Sequence, residues 1–188
     1  MVMAEATNHY FKHLGVSDGL SQVCIPSIYQ DELGAVWLGT TEGLNRYNGK
    51  DVKVFQPSES NHGLTNNEIN ELCGDKNGRM YIRSGNDLIK LDIYTEQFTC
   101  LRQKGVYGLF CKKDTLWVSC ADGIYYYTGQ GTELTFFARV QKGFVGRALY
   151  VDKETVWVVT RKYLVAISRE DPLRQEILLT PVSYTHLT

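Results

Sequence analysis

Four short segments of the sequence share one pattern, in which an aromatic residue lies within a run of strand-forming residues. The aromatic residues are Trp37, Tyr81, Trp117 and Trp157, at intervals of 44, 36 and 40 residues. A period near 40 that is built from short strands is typical of a propeller array of four-stranded blades. The sequence therefore predicts an all-β fold, a β-propeller fragment of about four antiparallel blades.

The first two units align without a gap. An offset of 44 residues places Asp31 over Asp75 and Gly34 over Gly78, so both units contain an Asp-x-x-Gly turn between their first two strands. In such a turn the aspartate can accept hydrogen bonds from the following amides, and the glycine can adopt the positive φ that a tight reversal requires. We therefore interpret these residues as structural.

The repeat sets the predicted boundaries of the blades. They are 19–57 for blade 1, 63–102 for blade 2, 105–140 for blade 3 and 145–180 for blade 4. Residues 181–188 match no expected blade position and are interpreted as a non-native or unassigned tail.

The segment at 8–18 precedes the first blade and resembles an outer strand. The same offset places Tyr10 and Phe11 over Val54 and Phe55 of the fourth strand of blade 1. Propellers often close their ring by letting one terminus complete the blade that the other terminus began. We therefore predict that this segment is the closing strand of a missing blade, and that the chain is the front part of a larger propeller.

The charges of the chain nearly cancel. Twenty Lys and Arg residues against 21 Asp and Glu residues give a formal net charge of -1, so no overall field would draw the protein to nucleic acid or to an anionic membrane. The sequence contains no apolar run of about 18 residues, and its first residues lack the basic and apolar regions of a signal peptide. Partners must therefore be recognised through local features.

Cysteine and histidine residues give no metal-binding pattern. The five cysteines include no C-x-x-C pair, and most of them fall in strand-like runs, where cysteine acts as a small apolar residue. We interpret them as buried free thiols in preference to disulfide partners or metal ligands. No metal site and no cofactor are expected.

The first unit resembles the two-component regulator propeller repeat. The resemblance rests on Asp31, Gly34, the run Trp37-Leu-Gly-Thr40 and the run Gly43-Leu-Asn-Arg-Tyr47. The second unit keeps the Asp and Gly positions, whereas the third and fourth keep the tryptophan and lose the Gly-Thr pair. In that family the repeats form the N-terminal sensor region of hybrid histidine kinases.

The resemblance implies a non-catalytic, periplasmic sensor domain that responds to glycan fragments or contributes to packing of the receptor dimer. Its implied partners are the remaining propeller blades and sensor domains of a homodimeric parent receptor, together with an oligosaccharide, and this region would contact no nucleic acid. The chain itself contains no kinase motif. The histidine kinase activity is therefore expected in the parent protein and not in this segment.

Ligand contacts are expected at residues that differ among the blades, because residues that recur in every unit are most simply packing contacts between blades. The aromatic residues of the repeat are accordingly interpreted as interblade packing. The candidate ligand-binding residues are Arg46, Arg83, Arg161 and Tyr163. A role as solvated charge or strand filler remains an alternative for each of them.

Two other functions remain open at this point. A propeller enzyme acting on polysaccharide would need carboxylates that converge on the central channel, and the first strands offer mainly Glu68 and Glu71, both from one blade. An intracellular protein-interaction scaffold is the other alternative. Catalytic residues are not assigned.

Overall fold

The computed structural model describes residues 12–57, 63–140, 145–160 and 162–179, with the side chains of 145–148 and 179 excepted. This part of the chain contains sixteen strands and one short 3₁₀ helix at Val16–Asp18. The strands form four antiparallel four-stranded sheets, which we call blades 1 to 4. The predicted all-β fold of four-stranded blades is therefore confirmed.

Each blade is a simple meander in which every strand pairs with the next one along the chain. The strands of blades 1 and 2 are β1 (Ser27–Gln30), β2 (Val36–Thr40), β3 (Gly43–Tyr47), β4 (Val52–Phe55), β5 (Ile69–Gly74), β6 (Arg79–Ser84), β7 (Asp87–Asp92) and β8 (Gln97–Arg102). Those of blades 3 and 4 are β9 (Val106–Lys112), β10 (Thr115–Cys120), β11 (Gly123–Tyr127), β12 (Thr135–Ala138), β13 (Val145–Val151), β14 (Thr155–Thr160), β15 (Leu164–Ser168) and β16 (Gln175–Leu179).

The first strands of successive blades lie side by side, because β1 contacts β5, β5 contacts β9 and β9 contacts β13. This is the arrangement in which propeller blades stack around a common axis. No helix among the described residues has the length and apolar content needed to cross a bilayer.

The Asp-x-x-Gly turns have the chemistry that the sequence predicted. Asp31 Oδ1 accepts hydrogen bonds from the amides of Leu33 (3.0 Å) and Ala35 (2.8 Å), and Gly34 has a φ of 86°. In blade 2, Asp75 Oδ1 accepts a hydrogen bond of 2.8 Å from the Asn77 amide. Each carboxylate is buried and replaces water as the acceptor for its turn.

The repeated aromatic side chains lie between blades. Trp37 belongs to the apolar cluster that joins blades 1 and 2, and Tyr81 belongs to the cluster that joins blades 2 and 3. Trp117 belongs to the cluster between blades 3 and 4. The interpretation of these rings as interblade packing is therefore confirmed for three of the four, and Trp157 of blade 4 is half-buried.

The N-terminal and C-terminal predictions fall largely outside the described residues. Of the predicted closing strand at 8–18, residues 8–11 are not described, residues 12–15 form no strand, and Val16–Asp18 form the 3₁₀ helix. Residues 181–188 are not described either. The closing role of the N-terminal segment stays a prediction.

The cysteines do not share one environment. The expectation of buried free thiols is wrong for Cys24 and Cys100, which are exposed, and it is correct for Cys120, whose pKa burial raises to about 12. Cys73 and Cys111 are half-buried, and their sulfur atoms contact each other across neighbouring blades. Cys24 lies in the loop before β1, and Cys100 lies on β8, the outer strand of its blade, where alternate residues face solvent.

Candidate functional site

Arg46 joins blade 1 to blade 2. Its Nη1 lies 2.9 Å from Glu96 Oε1, and its guanidinium carbon lies 5.5 Å from the centroid of the Trp37 ring. Lys53 binds the other carboxylate oxygen of Glu96. Two cations of blade 1 thus share one carboxylate of blade 2, so the visible contacts of Arg46 stabilise the stacking of blades.

Arg83 is buried, with only 5% of its surface exposed. Its Nε lies 3.4 Å from Glu71 Oε2, and its Nη1 donates a hydrogen bond of 3.1 Å to the carbonyl of Gly85. The same Glu71 oxygen accepts a hydrogen bond of 3.1 Å from the Leu109 amide in blade 3. Glu71, which the sequence offered as a possible catalytic carboxylate, therefore links an arginine of its own blade to the next blade.

The remaining candidates do not complete a common site. Tyr163 packs against the cluster between blades 3 and 4, and its amide donates a hydrogen bond of 2.8 Å to Thr160 Oγ1. Arg161 lies outside the described residues. The three described candidates lie on three different blades and share no bond with one another, so the structure does not bring them together.

The tryptophan of blade 3 differs from those of blades 1 and 4 in the hydrogen bonding of its indole nitrogen. In blades 1 and 4 the indole nitrogen donates to the aspartate of the preceding turn, Trp37 to Asp31 at 2.7 Å and Trp157 to Asp152 at 2.8 Å. In blade 2, where the ring is a tyrosine, the Nε of Arg79 takes that place on Asp75.

Blade 3 has a turn carboxylate, that of Asp114, but it accepts a hydrogen bond from Asn77 Nδ2 of blade 2 and not from the tryptophan. Its first two strands are joined by the two-residue turn Lys113-Asp114, in which Lys113 has a φ of 52°. Among the described side chains none accepts a hydrogen bond from the Trp117 indole nitrogen.

A cavity of about 420 Å³ lies beside the Lys113-Asp114 turn and Trp117, at the junction of blades 3 and 4. A second cavity of about 340 Å³ continues it and shares Thr115, Trp117 and Arg169 with it. We call the two together the 3–4 cleft. Its lining residues are Lys112, Lys113, Asp114, Thr115, Trp117, Tyr126, Thr128, Phe137, Lys153 and Arg169.

The charges of the 3–4 cleft are mainly positive, since four cationic side chains face one carboxylate, that of Asp114. The Arg169 guanidinium lies 5.5 Å from the Trp117 ring centroid, and its Nη1 donates hydrogen bonds of 3.0 Å to the carbonyls of Asp152 and Lys153. Lys112 Nζ donates a hydrogen bond of 2.8 Å to the Val151 carbonyl. Arg169 and Lys112 are thereby held in place, whereas the exposed ammonium groups of Lys113 and Lys153 can reach a bound molecule.

Aromatic rings form the other wall. The Trp117 ring centroid lies 5.5 Å from that of Tyr126 and 5.0 Å from that of Phe137. Trp117 is only 4% exposed, so the half-buried rings of Tyr126 and Phe137 supply most of the aromatic surface. A wall of flat apolar rings beside fixed hydrogen-bond donors suits a ligand that is apolar on one face and polar at its edges.

The cleft carries no pair of carboxylates, and no three His, Cys, Asp or Glu side chains of the described ranges lie close enough together to hold a metal ion. The cleft offers an aromatic wall beside cationic hydrogen-bond donors. Sequence reasoning missed it, although two signals pointed there: the short interval of 36 residues before Trp117, and the loss of the Asp-x-x-Gly turn from the third unit.

The fold and its repeats define the class of this chain as a partial β-propeller with interblade aromatic packing. Residues 19–42 match the family model described as two component regulator propeller, which confirms the predicted resemblance for blade 1. A segment of 53 residues is 40% identical to the histidine kinase P4 of Formosa agariphila, covering 28% of this chain and 4% of that protein.

The fold is shared with solved extracellular domains. One, assigned to the hybrid two component system BT3049 from B. thetaiotaomicron, superposes with a TM-score of 0.74 at 21% identity over 89% of this chain and 26% of that one. Another, assigned to the hybrid two component system BT4673 of the same organism, gives a TM-score of 0.67 at 20% identity over 93% of this chain and 23% of that one. The chain thus spans about a quarter of each of these domains.

Proposed function

We propose that this chain is part of the non-catalytic, periplasmic sensor propeller of a hybrid two-component receptor that responds to glycan fragments. The observation that carries the proposal is the two-component regulator propeller repeat at 19–42, within a fold shared with extracellular domains of hybrid two-component systems. In the intact receptor the partners would be the remaining blades, the adjoining sensor domains and a second copy of the receptor.

The 3–4 cleft is the place where a glycan fragment would bind. Sugar rings have apolar faces and hydroxyl edges, which suit the rings of Tyr126 and Phe137 and the donors on the opposite side. The excess of cations favours fragments that carry a carboxylate or sulfate group. Binding would transmit a signal only by favouring one arrangement of the receptor over another, because a ligand shifts an equilibrium by its difference in affinity for the two states.

The contacts of Glu71 support a non-catalytic role. Hydrolysis of a glycosidic bond needs two carboxylic groups that face the same bond from opposite sides. Glu71 is engaged with Arg83 and with the Leu109 amide, and Glu68, the other carboxylate that the sequence offered, precedes β5 and does not lie on a first strand.

Calorimetric titration of the purified chain with two probes tests the proposal. We expect tetragalacturonate, which is anionic, to bind more tightly than neutral cellotetraose. Arg169→Ala and Lys153→Ala should each weaken tetragalacturonate binding about tenfold, the loss of one charge-assisted contact.

Lys50→Ala is the matched control, because Lys50 is exposed on a turn of blade 1 and carries the same charge. Its affinity should equal that of the wild type. Absence of binding to both probes would contradict glycan sensing by this segment, whereas binding that is equally strong in Arg169→Ala would contradict the assignment of the cleft. Release of shorter sugars from either probe would overturn the non-catalytic role.

A further inference from the structure

The first strands of successive blades meet at one repeated position, which we call the inner slot. It is the residue paired with the repeated aromatic of the second strand: Tyr29 opposite Trp37, Cys73 opposite Tyr81, and Phe110 opposite Trp117. In each case the side chain points toward the first strand of the next blade.

Each slot residue contacts the first strand of the next blade, and the contacts differ in chemistry. The Tyr29 ring lies against Gly74 of β5, Cys73 lies against Cys111 of β9, and the Phe110 ring lies 5.1 Å from the Tyr150 ring of β13. Gly74 and Cys111 occupy equivalent places, each directly after the slot residue of its own strand. Cys73 and Cys111 therefore meet in the same way as Tyr29 and Gly74, whereas Phe110 contacts Tyr150, which is itself paired with the aromatic residue Trp157.

The two thiols are close enough to react. Cys111 Sγ lies 2.7 Å from Cys73 Sγ, and a small movement would bring the sulfur atoms to the bond length of about 2.05 Å. The alternative is that the two thiols only pack against each other, as cysteines often do in a protein core. The two sulfur atoms lie on neighbouring first strands of two different blades, so a bond between them would join the blades covalently.

We propose that Cys73 and Cys111 form a disulfide bond that fastens the first strand of blade 2 to the first strand of blade 3. The two thiols lose two protons and two electrons, and the electrons pass to a small-molecule or protein disulfide. One thiolate attacks that disulfide and releases one thiol from it, and the second cysteine then displaces the other thiol as the Cys73–Cys111 bond closes. The inference is independent of which molecule the cleft binds.

The surroundings predict a slow reaction with a stable product. Burial raises the pKa of the Cys73 thiol, and the thiolate is the attacking species, so oxidation would proceed through brief openings of the slot. Cys24 and Cys100 are exposed and would react with the oxidant first. Cys24 and Cys100 must therefore be replaced before the disulfide between Cys73 and Cys111 is measured.

The test uses the 188-residue chain with Cys24→Ser and Cys100→Ser, oxidised with glutathione disulfide, then denatured, alkylated and digested with trypsin. We expect the tryptic peptides 54–76 and 105–112 to be joined by a disulfide and Cys120 alone to be alkylated. A disulfide that includes Cys120 would overturn the proposal. So would alkylation of all three cysteines after prolonged incubation with glutathione disulfide.

Stability gives a second readout. A link that closes a loop of this length should raise the melting temperature by roughly 10 °C, and dithiothreitol should abolish the gain. In Cys73→Ser the reductant should change nothing, and in the control Cys120→Ser the full gain should remain. The peptide analysis of the Cys24→Ser, Cys100→Ser chain tests the proposal even if Cys73→Ser does not fold. A reductant-sensitive melting temperature in Cys73→Ser would contradict the assignment.

Discussion

The indole nitrogen of Trp37 donates a hydrogen bond of 2.7 Å to Oδ2 of Asp31, and both side chains are buried. The other oxygen of the same carboxylate holds the amides of the turn that precedes the tryptophan strand. One side chain thus fixes a turn at the edge of blade 1 and orients the ring that packs against blade 2.

Replacement of Asp31 by alanine should be strongly destabilising. It leaves an indole N–H and two turn amides without their acceptor, and a hydrogen bond to a charged group contributes more than a neutral one. We expect the free energy of unfolding in urea to fall by about 3 kcal/mol. Asp51→Ala, at an exposed turn of the same blade, should change it by less than about 0.5 kcal/mol. Equal effects in the two variants would contradict this role of Asp31.

Tyr81→Phe should stabilise the protein. The Tyr81 hydroxyl is buried and has no hydrogen-bond partner among the described residues, and burial raises its pKa. Removing an unsatisfied polar atom without changing the ring should raise the free energy of unfolding by about 1 kcal/mol.

Tyr127 provides the matched comparison for Tyr81. The two rings contact each other at 6.0 Å, but the Tyr127 hydroxyl donates a hydrogen bond of 2.7 Å to the Gly131 carbonyl. Tyr127→Phe should therefore lower the free energy of unfolding by about 1 kcal/mol. Chemical denaturation of both variants measures the two changes in the free energy of unfolding. A loss of stability in Tyr81→Phe would refute the prediction.

Acid should remove the contribution of Asp152. Hydrogen bonds from the Trp157 indole and from the amides of Glu154 and Thr155 hold the pKa of Asp152 below its usual value. A group with a depressed pKa in the folded state stabilises the protein above its unfolded pKa of about 3.9 and loses that effect as the pH falls through the folded value.

The melting temperature of the wild type should accordingly fall as the pH is lowered below about 4. Asp152→Asn should melt lower than the wild type at neutral pH, and the gap should close in acid. Asp51→Asn, on an exposed turn, serves as the control. A gap that stays constant across the titration would show that the charge of Asp152 contributes nothing.

The chain should associate with itself. Ile28 and Val54 of blade 1 are 64% and 38% exposed, and they lie on the face opposite to the one that packs against blade 2. Val159 of blade 4 is 43% exposed. Exposed apolar faces of this kind favour association, so analytical ultracentrifugation should detect species larger than the monomer.

Ile28→Glu should shift that distribution toward the monomer, because it places a charge in the exposed apolar face. Leu33→Glu is the control, since Leu33 is an exposed apolar residue of the first turn of the same blade. A monodisperse wild-type monomer would contradict the prediction.

The parts of the structure that repeat could be predicted from the sequence, and the parts that depend on one exception could not. The interval near 40 predicted the four blades and the interblade position of Trp37, and the Asp-x-x-Gly pattern predicted the turns of blades 1 and 2, because repeated sequence features give repeated local structure. The 3–4 cleft lies where the turn of blade 3 is only two residues long and gives the Trp117 indole no acceptor, and where Arg169 of blade 4 crosses to Trp117. The period of the repeat does not predict a contact between single residues of two blades, such as that of Arg169 with Trp117.

Periodicity also does not show which of the candidate ligand-binding residues are already engaged in other contacts. Arg46 was chosen because it departs from the repeat, but its partner is Glu96, which lies 50 residues away in the chain. Tertiary pairing therefore decides whether an unusual arginine is available to a ligand or engaged with a carboxylate, and the sequence pattern gives no sign of which applies.

The inner slot also determines which module can follow which. Gly74 accepts the ring of Tyr29 because it has no side chain, since a Cβ there would lie 2.1 Å from the tyrosine oxygen. Blade 3 offers Cys111 at the equivalent place, so it could not stand directly after blade 1 without displacing that ring. The modules look alike, but each slot is fitted to the blade that follows it, so a change in their order would force the side chains of the slot to repack.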